Sequence, residues 1–269
     1  MFYRIGAAGA CCQVVTVRTV ALTRTYRSVR RRLSRRPSGT EVKPLSQEAI
    51  AGLGYSSQLG QDLLLDRLVF AERRGGVVVD VGAHDGVTFS NSVFFERSRG
   101  WTAICIEPNP KVFNELRQNR PQAHCVQRAV GSEAGTAEFT AITGYGEMLS
   151  GLTGKYGSRQ SKRVDREIDR HGGSKTTISV EISRLDSLLR DAAIRKVDLL
   201  TIDVEGGEAS VLDSLSLAEF GVGAVVVENN YGTRSISSRL TKQGYQLFAR
   251  IGWDEVHVPR PFRLDTSGE

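Results

Sequence analysis

No two cysteines in this chain stand in a C-x-x-C pair, and only four cysteines occur in 269 residues. Cys11 and Cys12 are adjacent and cannot easily reach separate partners, while Cys105 and Cys125 lie inside apolar, strand-like runs. That pattern argues against a zinc site and for small buried thiols in a reducing compartment, hence a cytoplasmic protein. An uninterrupted apolar run of about 20 residues, the length of a membrane span, is also missing. The best approach to one, Ile5 to Leu22, is broken by Gln13 and Arg18, and it lacks the charge-apolar-small order of a secretory signal. Acids are absent before Glu41, although that stretch holds Arg4, Arg18, Arg24, Arg27, Arg30, Arg31, Arg32, Arg35 and Arg36. The net charge of +6 therefore resides in the tail, the remainder is close to neutral, and overall basicity says little about the main domain's partner. An acid-free, Arg-rich stretch reads as a transit peptide, a membrane-surface helix, a nucleic-acid arm, a solvated and partly disordered tail, or non-native residues added by an upstream start codon. Pro37, Ser38, Gly39 and Pro44 mark a linker. The expected division is a basic, flexible segment over 1–45, with at most weak membrane-surface contact, and one domain over 46–269.

What is present from Tyr55 onward is an alternation of strand and helix patterns. Hydrophobic residues make up 40% and charged residues 25% of the chain, enough for a globular core. Val77 to Val81 is short, continuous and β-branched, the pattern of a buried parallel strand. Further strands are expected at Trp101–Ile106, Ala123–Val126, Val197–Asp203 and Ala224–Glu228, with two more at Gln246–Ile251 and Glu255–Val258. Helices are expected over Asp62–Glu72, Ser90–Arg99, Pro110–Gln118, Leu185–Ala192, Glu208–Leu215 and Ser235–Gln243. Thr136–Ile142 and Ile178–Ile182 alternate like a strand pair, joined by the long Gly144–Lys175 connection, which is rich in Gly, Ser, Lys and Arg. Its run Arg159, Lys162, Arg163, Arg166, Arg170 with Asp165, Glu167 and Asp169 reads as a solvated helix face placed to act as a lid. Repeated β-α units imply an α/β fold, a mostly parallel sheet with helices on both faces.

Ligands bind such sheets beyond the carboxyl ends of the strands. There the first strand runs into Asp80-x-Gly82-x-x-x-Gly86, and the helix beginning near Ser90 presents free N–H groups. Glu107 ends the next strand, where a carboxylate can accept both hydroxyls of a ribose. The glycine spacing is not G-x-G-x-x-G, so the glycine that admits a pyrophosphate is missing, and the turn holds no phosphate loop of the G-x-x-x-x-G-K-[ST] kind. A ligand with ribose and adenine but no phosphate fits, and S-adenosylmethionine is such a ligand. The cofactor residues expected on this reading are Asp80, Gly82, Gly86, Ser90, Glu107 and Asp203.

Residues 77–131, opening VVVDVGAHDGVTFSN and closing HCVQRAVG, resemble the FkbM-type methyltransferases. Ser57-Gln58-Leu59-Gly60-Gln61-Asp62 looks like that family's upstream motif, and Thr201-Ile202-Asp203-Val204-Glu205-Gly206 like its fourth-strand motif. The resemblance covers roughly residues 55 to 251. It implies a Rossmann-like class I methyltransferase sheet of seven strands, the last hairpin supplying an antiparallel strand. It also implies methylation of a hydroxyl on a sugar, glycolipid or polyketide-like metabolite. Two positions depart from the family pattern: His84 stands where Asn is usual, and Gly207 where His is frequent.

Methyl transfer to an alcohol needs alignment, exclusion of water and loss of the acceptor's proton. Asp203 and Glu228, at neighbouring strand ends, are the expected catalytic acids. Asp203 alternatively contacts the methionine amine. Asp203, Glu228 and Asn229 would also suit Mg²⁺, an alternative that the reading does not favour, so no metal ligand is assigned. His84 is expected to stabilise its turn or to meet the adenosine edge, His171 to be solvated, and His257 and Trp253 to pack at the sheet end. Three other functions compete: a nucleic-acid methyltransferase, a non-catalytic binding module and a nicotinamide oxidoreductase. No Asn/Asp-Pro-Pro-aromatic motif or basic-aromatic patch supports the first, so no specific nucleic-acid partner is expected. The acid and glycine set argues against the second, and the glycine spacing against the third.

Overall fold

The computed structural model describes residues 39–262. Its main sheet is built from β1 (Thr40–Val42), β2 (Val77–Val81), β3 (Thr102–Ile106), β4 (His124–Val126), β9 (Leu199–Ile202), β10 (Ala224–Glu228), β11 (Tyr245–Ile251) and β12 (Asp254–Pro259). The strands lie in the order β1-β11-β12-β10-β9-β2-β3-β4. All neighbours are parallel except β12, which runs antiparallel to both β10 and β11. Without β1 this is the seven-stranded Rossmann-like order with an antiparallel hairpin at the end. The eighth strand corrects two expectations. The sheet has one strand more than seven, and β1 falls inside the 1–45 segment set apart above. Three residues flanked by Gly39 and Pro44 carry too little periodicity to declare a strand, and pairing with β11 supplies what local propensity does not.

Alternate residues of the central strands feed two cores. Val78, Ala103, Cys105, Leu199 and Val226 face helices α1 (Gln47–Gly52), α2 (Gln61–Leu64), α3 (Val93–Arg99) and α4 (Pro110–Asn119). Val79, Val81, Ile104, Leu200 and Val225 face α6 (Leu185–Asp191), α7 (Glu208–Leu212) and α8 (Arg234–Lys242). Coverage of both faces explains why these strands read as continuous apolar runs. The helix expected over Asp62–Glu72 divides instead, α2 passing into one π-helical turn at Leu65–Val69. The helix expected from Ser90 begins at Val93, because Ser90 Oγ accepts the backbone N–H groups of Ser92 and Val93, both at 3.2 Å, and closes a turn ahead of it.

A second sheet, β5 (Ala129–Val130), β8 (Lys175–Ser183), β6 (Gly135–Ile142) and β7 (Gly151–Leu152) in that order, stands beside the carboxyl ends of the main strands. β6 and β8 pair antiparallel, as their alternation predicts. The long connection between them is not structureless. It forms 3₁₀ turns at Gly144–Leu149 and Thr153–Lys155 and a fourteen-residue helix, α5 (Ser158–His171). Val164 and Ile168 pack it on Ile142, Leu149 and Tyr156. Among the described residues no helix is long and apolar enough to cross a membrane.

Candidate active site

The parallel register brings the ends of β2, β3, β9 and β10 to one rim, and a cavity opens there between the two sheets. Gly82, His84, Glu107, Asn109, Asp203 and Glu205 line it from the main sheet. Ala129, Phe139, Glu147 and Leu152 close it from the other side.

Gly82 has a φ of 86°, and a Cβ there would lie 1.7 Å from the carbonyl oxygen of Asp203. Only glycine lets the loop pass this close to the end of β9. Its N–H and that of Ala83 donate to the carbonyl of Ile106 at 3.0 and 3.1 Å, which ties the loop to β3. Gly86, with a φ of 80°, answers to packing: a Cβ would meet Leu116 at 2.5 Å and Arg120 at 2.7 Å. Gly86 does not line the cavity, nor does Ser90, which serves the turn before α3.

Asp80 also stands behind the cavity wall. Its carboxylate accepts the hydroxyls of Thr201 at 2.7 Å and Ser92 at 2.5 Å, and Ser92 receives Arg120 Nη1 at 3.1 Å. The buried Arg120 also pairs with Glu96 and donates to the Gly86 carbonyl at 2.9 Å. This network joins β2, β9 and α4 and holds the glycine loop in place. Sequence spacing shows the acid before the glycines but not its buried hydroxyl donors.

Glu107 faces the cavity. One oxygen accepts the His84 N–H at 3.1 Å, the other the Asn109 N–H at 2.8 Å. Burial pushes this carboxyl up to about 7, against those two hydrogen bonds. Each oxygen keeps lone pairs for a diol. His84 has a left-handed φ of 49°, so it serves the turn through its backbone. Its ring lines the cavity, with Nδ1 3.6 Å from Asp85 and Nε2 3.8 Å from Glu147.

The β9–β10 side is acidic. One carboxylate oxygen each from Asp203, Glu205 and Glu228 lies within 4.8 Å of the others. Desolvation raises all three above the usual carboxylate range. Glu208 then pushes Asp203 further up, and Asp203 does the same to Glu205 and Glu228. Asp203 as a residue is open to solvent, but its carboxyl end lies beside those of Glu205 and Glu228, close enough for their titrations to be coupled. Asp254, at the start of β12, is pushed up to about 7 by burial and by Asp203, and it accepts a hydrogen bond from Gln61. Gln160 of α5 donates to Glu205 at 2.6 Å and accepts the Tyr231 hydroxyl at 2.8 Å. Arg163 approaches Glu205 at 3.6 Å.

The structure thus brings together Gly82, Glu107 and Asp203 at one cleft, with Glu228 next to Asp203 but not on the cavity lining. Asn229, weighed as a cation ligand with Asp203 and Glu228, turns away. Its amide is engaged by Glu255 and Thr233, and Glu205 takes its place in the cluster. Asp254, Gln160, Arg163 and Tyr231 were not singled out as site residues, since hairpin and connection residues carry no local sign of what they meet. Gln61 lay in the upstream motif, whose purpose is now visible. Asp62 accepts the N–H groups of Ser56 and Ser57 at 2.6 and 3.0 Å, which sets the loop that aims Gln61 at Asp254. His257 packs as expected, against Glu255 at 2.9 Å, whereas Trp253 is 41% exposed.

In chemical terms the cleft offers a diol acceptor on one side and a sink for positive charge on the other. A ligand with a ribose and cationic groups fits both; a second dinucleotide phosphate finds no cradle in the glycine spacing.

Fold and rim together define a Rossmann-like domain with the strand order of class I methyltransferases. Residues 80–247 match the methyltransferase FkbM domain, and the chain belongs to that family. It is similar to the 2-O-methyltransferase NoeI of Sinorhizobium fredii (strain NBRC 101917 / NGR234), 27% identical over 146 residues, which are 52% of this chain and 58% of NoeI. It is also similar to the methyltransferase sdnD of Sordaria araneosa, 28% identical over 154 residues, 50% of this chain and 58% of that protein. The match thus spans less than two thirds of either curated relative. Among solved structures, the methyltransferase FkbM of Methylobacillus flagellatus KT aligns at 14% identity with a TM-score of 0.43, over 69% of this chain and 44% of that one.

Proposed function

We propose that this chain is an S-adenosylmethionine-dependent O-methyltransferase acting on a hydroxyl of a sugar, glycolipid or polyketide-like metabolite. One observation carries the reading: Glu107, Asp203 and Glu205 line the same cleft, and Glu228 stands beside the last two. Glu107 would hold the ribose hydroxyls and the backbone around Gly82 and His84 the adjoining edge, while the acids would neutralise the ammonium and sulfonium charges. Bound there, S-adenosylmethionine supplies a methyl group on a sulfur that leaves as a neutral thioether.

The acid pair also has a second duty. An alcohol oxygen must lose its proton as it gains the methyl carbon, and a carboxylate of the pair is the base at hand. Burial and mutual repulsion raise both carboxyls, so whichever of the two is left unprotonated is the acceptor. The small sheet and α5 flank the rim, where they would limit the water that reaches the reacting atoms. The family and the name of NoeI support a hydroxyl acceptor. Mg²⁺ on Asp203, Glu205 and Glu228 is a second reading, favoured by the 4.8 Å spread of their oxygens. It predicts that EDTA abolishes turnover and Mg²⁺ restores it.

Calorimetric titration with S-adenosylhomocysteine and with NAD tests the proposal. One site for the first and none for the second is expected. Binding of NAD alone, or of neither, would overturn it.

A further inference from the structure

Helix α5 orders its charges in a way the linear sequence hides. Along the chain the signs are mixed. At about 3.6 residues per turn, however, Arg159, Lys162, Arg163, Arg166 and Arg170 recur at i, i+3, i+4, i+7 and i+11 and share one face. Asp165 and Asp169 border the stripe along its Lys162 edge, where Asp165 is taken up by Lys175 at 2.6 Å. Glu167 sits 3.6 Å from His171. Among the described residues the stripe meets one acid within ion-pair distance, Glu205 at Arg163. The other four cations are uncompensated.

The stripe also starts at the site. Gln160, bonded to both Glu205 and Tyr231, fixes the first turn of α5 over the ends of β9 and β10. Tyr231 is 42% exposed there, and its hydroxyl bonds Gln160, the neighbour of Arg159 in the first turn of α5. An aromatic face beside guanidinium groups suits an oxygenated ring that bears an anion.

We propose that the mouth of the cleft is an acceptor subsite for a small, sugar-like alcohol carrying a phosphate or carboxylate, with Arg159 and Arg166 holding the anion and the Tyr231 ring beneath the sugar. This rests on the methyltransferase reading and narrows its acceptor. The physical reason is the neighbouring acid cluster. An anionic acceptor approaching Asp203 and Glu228 would be repelled unless cations at the entrance offset them, and α5 places its basic face there. The two zones then sort the two ligands by charge, cation inward and anion outward. A neutral acceptor would have no use for the stripe.

Inorganic pyrophosphate is the probe. The full chain is titrated calorimetrically with it, in the presence and absence of S-adenosylhomocysteine. One saturable site is expected in both, at least tenfold weaker in the Arg159→Ala/Arg166→Ala double variant and unchanged in Lys242→Ala, a cation of α8. Absence of saturable binding, or equal binding by the double variant, overturns the subsite. So does a vesicle result: sedimentation with phosphatidylglycerol vesicles that depends on the stripe, without pyrophosphate binding, would make the face a membrane contact. Failure of S-adenosylhomocysteine to bind the wild type would count against the methyltransferase reading alone, because the pyrophosphate arm reads the stripe independently.

Discussion

The two halves of the cleft treat their carboxylates in opposite ways. On the β2–β3 side the fold itself supplies the partners: Asp80 takes two buried hydroxyls, and Glu107 takes two backbone N–H groups. On the β9–β10 side Asp203, Glu205, Glu228 and Asp254 face one another. Arg163 is the one cation within ion-pair distance of any of them among the described residues. The first half is therefore preformed, with its geometry paid for during folding. The second keeps a charge imbalance that a cationic ligand would relieve. Cradle and charge sink are separate devices, and they should fail separately when altered.

The largest effect is expected at the sink. Asp203→Asn and Glu228→Gln should each slow methyl transfer roughly 10²–10⁴-fold if the pair removes the acceptor's proton, read as S-adenosylhomocysteine release. If Asp203 instead contacts the amine, Asp203→Asn weakens cofactor binding and Glu228→Gln is nearly silent. Stability should move in the other direction. These acids titrate above their ordinary value of about 4, so the native state holds extra protons. Their contribution to stability is complete below that value and is lost as pH rises toward the folded values, about 7 for Asp254 and higher than ordinary for the cluster. The ligand-free melting temperature should fall between about pH 5 and 8, and Glu228→Gln should flatten that fall. S-adenosylmethionine affinity should rise over the same window, because the guest needs the carboxylates charged. A ligand-free protein that grows more stable with pH there would break the comparison.

Behind the cradle, Asp80→Ala leaves the hydroxyls of Thr201 and Ser92 without their buried acceptor. A cost of about 2–3 kcal/mol is expected, or about 2–4 °C of melting temperature for each kcal/mol. Calorimetric unfolding measures it. An unchanged midpoint would show that Arg120 and Ser92 hold the loop without the acid.

Within the cradle, Glu107→Ala should weaken S-adenosylhomocysteine binding by about 1.5–3 kcal/mol, the scale of a hydrogen bond to a charged group. Unaltered affinity would refute the diol assignment and leave the preformed half without a ligand contact.

The cradle was also the more legible half. Strands buried on both faces announce themselves as apolar runs, and an acid or glycine at their ends is then placed by topology, which is how Gly82 and Glu107 could be expected at the cavity and Asp80 near it. Direction was less legible than position. Ser90, Gly86 and Asp80 lie next to the cavity in the chain and beside one another in space, but their atoms answer to α3, Leu116 and Thr201. Asn229 follows β10 as the reading required, yet turns toward Glu255. Contacts from the β6–β8 connection were invisible, since Gln160 and Arg163 carry no local sign that they will meet Glu205. Charge segregation on α5 required knowing that the segment is helical. The edge strand β1 was missed because three residues hold less information than the pairing that makes them a strand.

That strand gives the smallest expected effect and the cleanest control. β1 joins the sheet through β11, at the edge opposite β4, and no residue before Val81 lines the cavity. A chain beginning at residue 39 should bind S-adenosylhomocysteine like the full chain, because the described fold is untouched. A chain beginning at residue 46 loses three register pairs with β11 and the packing of Val42 and Leu45 on the core. Those two side chains are only partly buried, so the cost should be about 1–2 kcal/mol, below the range for a fully buried aliphatic. It should appear as a lower melting temperature at unchanged affinity. Loss of affinity in the shorter chain, while still folded, would mean that the edge of the sheet reaches the rim. A Cβ at Gly252 would meet Leu59 and Pro44, so the hairpin turn lies close to both, and Leu59 leads to Gln61 and so to Asp254, which makes the acidic half the one that would feel it. Equal affinity in both truncations would leave the preformed and charged halves as the whole of the binding site.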